Sequence, residues 1–260
     1  MSSTLIDPKK HRQLFLDDYA IEHMIGVKRS IHQPEKSCPV IRPDQSLGES
    51  SIQTRSAPQW NSDKEVWEWW YSGNKSYYAT SKDLEHWEST AVDKAQTHII
   101  RDENDKNPQR RYKALSGNGS SNDLYLWTSP DGSTWDMVDS PPIPTGDESH
   151  FTYDEISEQY IAMVKLGTKW GRSVFLSTSK DFINFTKPEL IFHTDEIDWE
   201  NCRKRVREVI DNPAYITPPV IDDEDYIAEA YHMAVMPYQG FYIGFALIFN
   251  PFGANSPPEM

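Results

Sequence analysis

Leu124-Tyr125-Leu126-Trp127-Thr128-Ser129-Pro130-Asp131-Gly132-Ser133-Thr134-Trp135 has two near copies in the same chain. They are Tyr77-Tyr78-Ala79-Thr80-Ser81-Lys82-Asp83-Leu84-Glu85-His86-Trp87 and Val174-Phe175-Leu176-Ser177-Thr178-Ser179-Lys180-Asp181-Phe182-Ile183-Asn184-Phe185. Each is an apolar run, then Thr-Ser-x-Asp, then an aromatic four residues after the Asp. The Asp falls at 83, 131 and 181, a period of about 50 residues, and a fixed period of that size marks a blade or solenoid array.

The repeat reads as a strand, a tight polar turn and a second strand opened by an aromatic. Asp and Ser side chains hydrogen-bond the backbone just ahead of them and Gly supplies a positive φ, so Thr-Ser-x-Asp-Gly is turn chemistry. Further β-rich runs lie upstream of each turn, at Val66–Tyr71, Arg111–Leu115 and Tyr160–Lys165, which makes about four short strands per period, as a propeller blade requires. Helical periodicity is confined to Asp195–Ile210, with Pro213 after its end, so a helical solenoid is disfavoured. A β-sandwich also has many short strands, but it does not explain near-identical turns at regular spacing. The expected fold is an all-β β-propeller with about four blades present: blade one about 51–90, blade two about 95–139, blade three about 147–192 and blade four from about 225, in a single domain spanning 1–260. An N-terminal inner strand is expected over 12–22. Four incomplete repeats leave strand edges open. The expectation is a truncated chain, the alternative being closure by a second copy.

Composition bounds the function. The 260 residues hold 40 acidic against 26 basic side chains, a net charge of −14. That balance argues against nucleic acid and anionic membranes, which require basic surfaces. Nine Trp and 13 Tyr suit both propeller cores and sugar stacking. Cys38 and Cys202 show neither a disulfide framework nor metal-ligand spacing. No signal-peptide core or membrane-length apolar run is evident, so the expected location is the cytoplasm. The oligomeric state is open.

The repeat also serves as a ruler for the innermost strand of each blade. Thr97–Asp102, Ser149–Asp154 and Tyr231–Met236 fall in one register, which aligns His98, His150 and His232, with Arg55 in the corresponding place of blade one. Three residues before two of these histidines stand Asp147 and Glu229. Acids at equivalent inner-strand positions converge on the funnel at one face of a propeller, where like charges separate their pKa values into an acid and a base. Asp17 and Asp18 on the N-terminal strand are further candidates, or a turn cap. Asp83, Asp131 and Asp181 read as turn acids, and Asp102 and Asp154 likewise. The histidines are core imidazoles, ligands of sugar hydroxyls, or, as the lesser option beside an expected absence of cofactors, ligands of a divalent metal on the axis.

Three segments carry a resemblance: Gln13-Leu14-Phe15-Leu16-Asp17-Asp18-Tyr19, Ser51-Ile52-Gln53-Thr54-Arg55-Ser56-Ala57-Pro58, and Glu229-Ala230-Tyr231-His232-Met233 through Pro237-Tyr238-Gln239-Gly240-Phe241-Tyr242-Ile243-Gly244. With these the chain resembles the five-bladed β-propeller glycoside hydrolases of the family 32 and family 43 type. It resembles more closely a group described as having a family 32 N-terminal-like domain. The Trp-x-Asn-Asp-Pro signature of the fructosidases is absent. The resemblance implies hydrolysis of a glycosidic bond in a carbohydrate substrate, with furanosides among the candidate substrates. It further implies Asp17 or Asp18 as base or nucleophile, Asp147 as transition-state support and Glu229 as general acid, with Arg55, His98, His150 and His232 holding sugar hydroxyls. The alternatives are a carbohydrate-binding propeller without catalysis and a protein-interaction scaffold.

Overall fold

The computed structural model describes residues 14, 18, 21–36, 39–93, 96–119, 121, 123–212, 214 and 227–250. The chain divides into two compact units, Met1–Pro39 and Val40–Met260. In the first, Asp18 pairs with Arg29, Nη1 to Oδ1 at 2.6 Å, and its carbonyl accepts from Ile21 N at 3.0 Å. Asp17 and most of the expected strand over 12–22 lie outside the described residues.

Among its described residues the second unit is all-β apart from one long helix and two single 3-10 turns. Three antiparallel meanders of four strands follow one another. They are β1 Gln59–Asn61, β2 Val66–Ser72, β3 Ser76–Ser81 and β4 Glu88–Val92; then β5 Ile99–Arg101, β6 Tyr112–Ser116, β7 Tyr125–Ser129 and β8 Asp136–Met137; then β9 Ser149–Asp154, β10 Gln159–Thr168, β11 Gly171–Ser179 and β12 Glu189–Phe192. Helix α1, Glu196–Asp211, leads to a hairpin of β13 Glu229–Tyr238 and β14 Phe241–Phe249. Within each meander the strands pair in sequence order. The last strand of each is short and exposed, and the middle strands are buried.

The repeated turns follow one design. Ser81, Ser129 and Ser179 Oγ accept from Leu84, Gly132 and Phe182 N at 2.9, 2.8 and 3.1 Å. Asp83 Oδ1 accepts from Glu85 and His86 N, Asp131 Oδ1 from Ser133 and Thr134 N, and Asp181 Oδ1 from Ile183 and Asn184 N, all at 2.8–2.9 Å. The expected positive φ is present in all three, but only one position is Gly: Leu84 has φ 66, Gly132 φ 78 and Phe182 φ 61. Gly132 is required because a Cβ there would come within 2.7 Å of the Trp70 ring. Asp102 and Asp154 also act as turn acceptors, from Asn104 N and Ile156 N at 2.9 and 3.0 Å.

Consecutive sheets share apolar layers. Trp70 of the first packs with Ile99, Tyr112 and Ala114 of the second. Leu115 and Leu126 of the second pack with Phe151, Tyr160, Ala162 and Val164 of the third. Ile161, Met163 and Val174 of the third pack with Ala230 and Val235 of the hairpin. Strand β10 therefore alternates between two cores, even residues toward one neighbour and odd toward the other, which is why Tyr160–Val164 reads as a continuous apolar run. Each such fully buried aliphatic side chain contributes roughly 1.5–3 kcal/mol. The first strands follow suit, with β1 beside β5, β5 beside β9 and β9 beside β13. Polar seams add direction: Trp70 Nε1 donates to Gly132 O at 2.8 Å, and Arg110 Nη2 to Asp181 O at 2.9 Å. Among the described residues no helix is long and apolar enough to cross a membrane.

Candidate functional site

The beginnings of the four first strands carry a continuous polar cluster. Arg55 precedes β1 and forms an ion pair with Glu148, which directly precedes β9. His98 precedes β5, is 3% exposed and has φ 49, a left-handed backbone that turns its ring inward from the strand register. One ring nitrogen donates to the backbone of Arg55, and Nδ1 has no partner among the described residues. Burial, then the charge of Arg55 and the nearby His150 and His232, push the His98 imidazole down to about 3, so it is neutral. His150 Nε2 donates to Val235 O at 2.9 Å, and the rings of His150 and His232 are 6.4 Å apart and edge-on. Burial also lowers both of these histidines.

The two acids found by register each have a cationic partner near the Tyr231 ring. Asp147 pairs with Lys165 and accepts from Tyr231 OH at 3.2 Å. Burial raises its pKa, but Lys165, the backbone N–H of Glu148 and Tyr231 outweigh burial and hold the carboxyl below the usual range. Glu229 opens β13, pairs with Arg172 and accepts from Arg172 N at 2.9 Å. Gly171 makes that approach possible: its φ is +80, and a Cβ would fall 2.3 Å from Glu229 Oε1. Lys165 Nζ lies 3.5 Å from the centroid of the Tyr231 ring and Arg172 Cζ 5.7 Å from it, so one aromatic faces the cations that hold both acids. Asp147, Lys165, Gly167 and Arg172, with Thr145 and Gly146, line an open depression of about 350 Å³.

A bulge makes this clustering possible. The pairing of β13 with β14 shifts between Ala230 and His232, leaving Tyr231 as the extra residue. A bulge breaks strict alternation and re-aims a side chain. Neighbouring residues Tyr231 and His232 consequently both serve the same cluster, Tyr231 at Asp147 and His232 beside His150.

Of the residues expected from sequence, Arg55, His98, His150, His232, Asp147 and Glu229 are gathered around this region. Asp18 belongs to the separate N-terminal unit, and Asp17 is not among the described residues. Sequence reasoning did not single out Glu148, Lys165, Arg172 or Tyr231. Lys165 left a signal, a lone cation inside the apolar run Tyr160–Leu166 and 5% exposed; lysine is almost never buried unless paired. Among the described residues no group of three His, Cys, Asp or Glu side chains converges with metal-site geometry. The chemistry available is hydrogen bonding by neutral imidazoles, anchoring by paired charges, and two carboxylates with separate cationic partners. No family model matches this sequence, and no curated protein is significantly similar to it.

Proposed function

We propose that this chain is a β-propeller glycosidase that binds a carbohydrate over the Arg55–Glu148, His98–His150–His232 and Asp147–Tyr231–Glu229 cluster and hydrolyses a glycosidic bond there. The observation that carries the proposal is the convergence of charged and imidazole side chains from the beginnings of four successive first strands. Shared apolar layers between consecutive sheets support the propeller. Five blades follow from the family resemblance. Glycoside hydrolysis requires two carboxyl groups in different electrostatic settings. Asp147, kept ionised by Lys165, suits support of positive charge in the transition state. Glu229 is the acid candidate, and to act as one it must leave Arg172, take up a proton from water and turn to the glycosidic oxygen. Nδ1 of neutral His98 is an acceptor without a partner among the described residues, but it is buried, so a sugar hydroxyl reaches it only if the cluster opens.

A carbohydrate-binding propeller without turnover is the second reading. It is favoured by the fact that Asp147, Glu148 and Glu229 are each already held by a cation. The two separate on a panel of aryl furanosides and pyranosides with arabinan and fructan, scored for sugar release and, by calorimetry, for binding. For a glycosidase, Glu229→Gln lowers turnover by about 10²–10⁴-fold while binding persists. Binding without release in the native chain favours the second reading, and neither binding nor release across the panel removes both.

A further inference from the structure

Glu229, the acid candidate, is held by a cation that has donors to spare. On the premise of the carbohydrate reading, we infer that this chain takes a uronic-acid sugar, whose carboxylate replaces Glu229 on Arg172 and so frees Glu229 to act as the acid.

Three observations carry this. First, Arg172 offers the right fork. A guanidinium presents five N–H donors in one plane. Among the described residues the acceptor on that of Arg172 is Glu229, which meets Nη1. Nε and Nη2 are left for a second carboxylate, and paired donation to a carboxylate is what the planar fork favours. Second, the fork is within reach. The Arg172 side chain is 43% exposed and lines the open depression of about 350 Å³ with Asp147, Lys165 and Gly167. The walls of that depression all belong to β10, β11 or the loop before β9. A Cβ at Gly167 would meet nothing within 4 Å, so this wall leaves room for a sugar ring. Third, the local charge runs against that of the chain. The protein has 40 acidic and 26 basic side chains. The cluster and its adjoining turn hold Arg55, Lys165, Lys169 and Arg172 against Asp147, Glu148 and Glu229. Lys169 is exposed at the turn from β10 to β11, with Nζ 4.3 Å from the Trp170 ring centroid and no acid partner among the described residues. A local excess of cations attracts an anionic ligand.

The exchange removes a difficulty at the acid, because a carboxylate paired with arginine has no proton to give. Among the described residues Arg172 is the charged side chain that contacts Glu229. When a uronate takes Arg172, Glu229 loses that cation and gains an anion beside it. Both changes favour the neutral form of a carboxyl group. Glu229 then takes up one proton from solvent, while the uronate stays ionised on Arg172. A neutral sugar leaves Glu229 where it is, and binds more weakly.

Titration calorimetry at pH 7 tests the proposal. It compares glucuronate and galacturonate with glucose and galactose, and with the uronate methyl esters, which keep the shape and lose the charge. The uronates are expected to bind about tenfold or more tightly than their esters. Acetate, which has the charge without the ring, binds about tenfold or more weakly than the uronates. Repeated in buffers of different ionisation enthalpy, uronate binding takes up about one proton per site. In Glu229→Gln the binding persists and the uptake is lost. Arg172→Met loses the preference of acid over ester, with circular dichroism identifying a variant that fails to fold; the ester comparison and the proton count need no variant. Equal affinity for acid and ester, uronate binding without proton uptake, or acetate binding as tightly as the uronates each overturn the proposal. Uptake that survives in Glu229→Gln assigns the proton to the neighbouring histidines and also overturns it. In each of these cases neutral sugars that bind keep the carbohydrate reading. Absence of binding by every sugar, charged or neutral, removes both.

Discussion

His98 concentrates the electrostatic tension of the site in one side chain. It is buried beside Arg55 and two other imidazoles, and its pKa is pushed down to about 3. In the unfolded chain a histidine titrates near 6.5. Below that value the unfolded state takes up a proton that the folded state refuses, so stability falls as pH drops from about 6.5 toward 3. One such group contributes a slope of about 1.4 kcal/mol per pH unit in that window. His150 and His232 are lowered in the same direction. Urea unfolding at pH 7, 6, 5 and 4.5 is expected to show this decline before most carboxylates titrate. His98→Asn suits the left-handed backbone and flattens the slope. An unchanged slope in that variant removes His98 from the account.

At the scale of elements, the repeated turn is a device in which Ser and Asp accept backbone donors ahead of them. Removing one acceptor leaves two N–H groups of a tight turn to water. Asp131→Ala is expected to lower stability by about 1–2 kcal/mol, with Asp131→Asn losing less because an amide oxygen still accepts. The check is the urea midpoint at constant m value. An equal loss in the Asn variant assigns the effect to the charge of Asp131 instead. Much of this was legible in the sequence, because turn chemistry is local: Ser129, Asp131 and Gly132 meet within four residues. Apart from the expected strand over 12–22, most of which lies outside the described residues, the expected strands and helix agree with the structure to within a few residues, and the innermost strand of the second repeat shrinks from 97–102 to Ile99–Arg101. The cause is the left-handed His98, a conformation that hydrophobic alternation does not reveal. Tyr231 was illegible for a related reason. A bulge depends on the partner strand, and β14 is read separately from β13.

At the scale of the whole molecule the described sheets are joined by shared cores and by buried ionic networks, of which one joins the second sheet to the third. Lys113, fully buried on β6, donates to Asp102 Oδ2 at 2.7 Å, Asp105 Oδ2 at 2.8 Å and Arg110 O at 2.9 Å. Tyr160 of the third sheet donates to the same Asp102. Burial raises both carboxyls, but Lys113 and the neighbouring donors outweigh it and hold them low. Lys113→Met therefore leaves Asp102 facing an apolar seam without a counter-ion, while Asp105 keeps Arg110 at 3.3 Å. A loss of about 3–5 kcal/mol in urea unfolding at pH 7 is expected, smaller at pH 4 where the orphaned carboxyl can protonate. A loss below 1 kcal/mol at pH 7 denies the network its role in joining the sheets.

The sequence by itself determined the all-β class, the four-strand unit, the turns and the spacing that singled out Asp147, Glu229, His98, His150 and His232. These follow from spacing along the chain, where a period and a turn are complete within one stretch. Only the tertiary structure decided what those residues face. The Lys165 and Arg172 partners of the two acids lie on β10 and β11, and the Glu148 partner of Arg55 lies 93 residues along the chain. Ion pairing and burial depend on distance in space, and no periodicity within one strand encodes it.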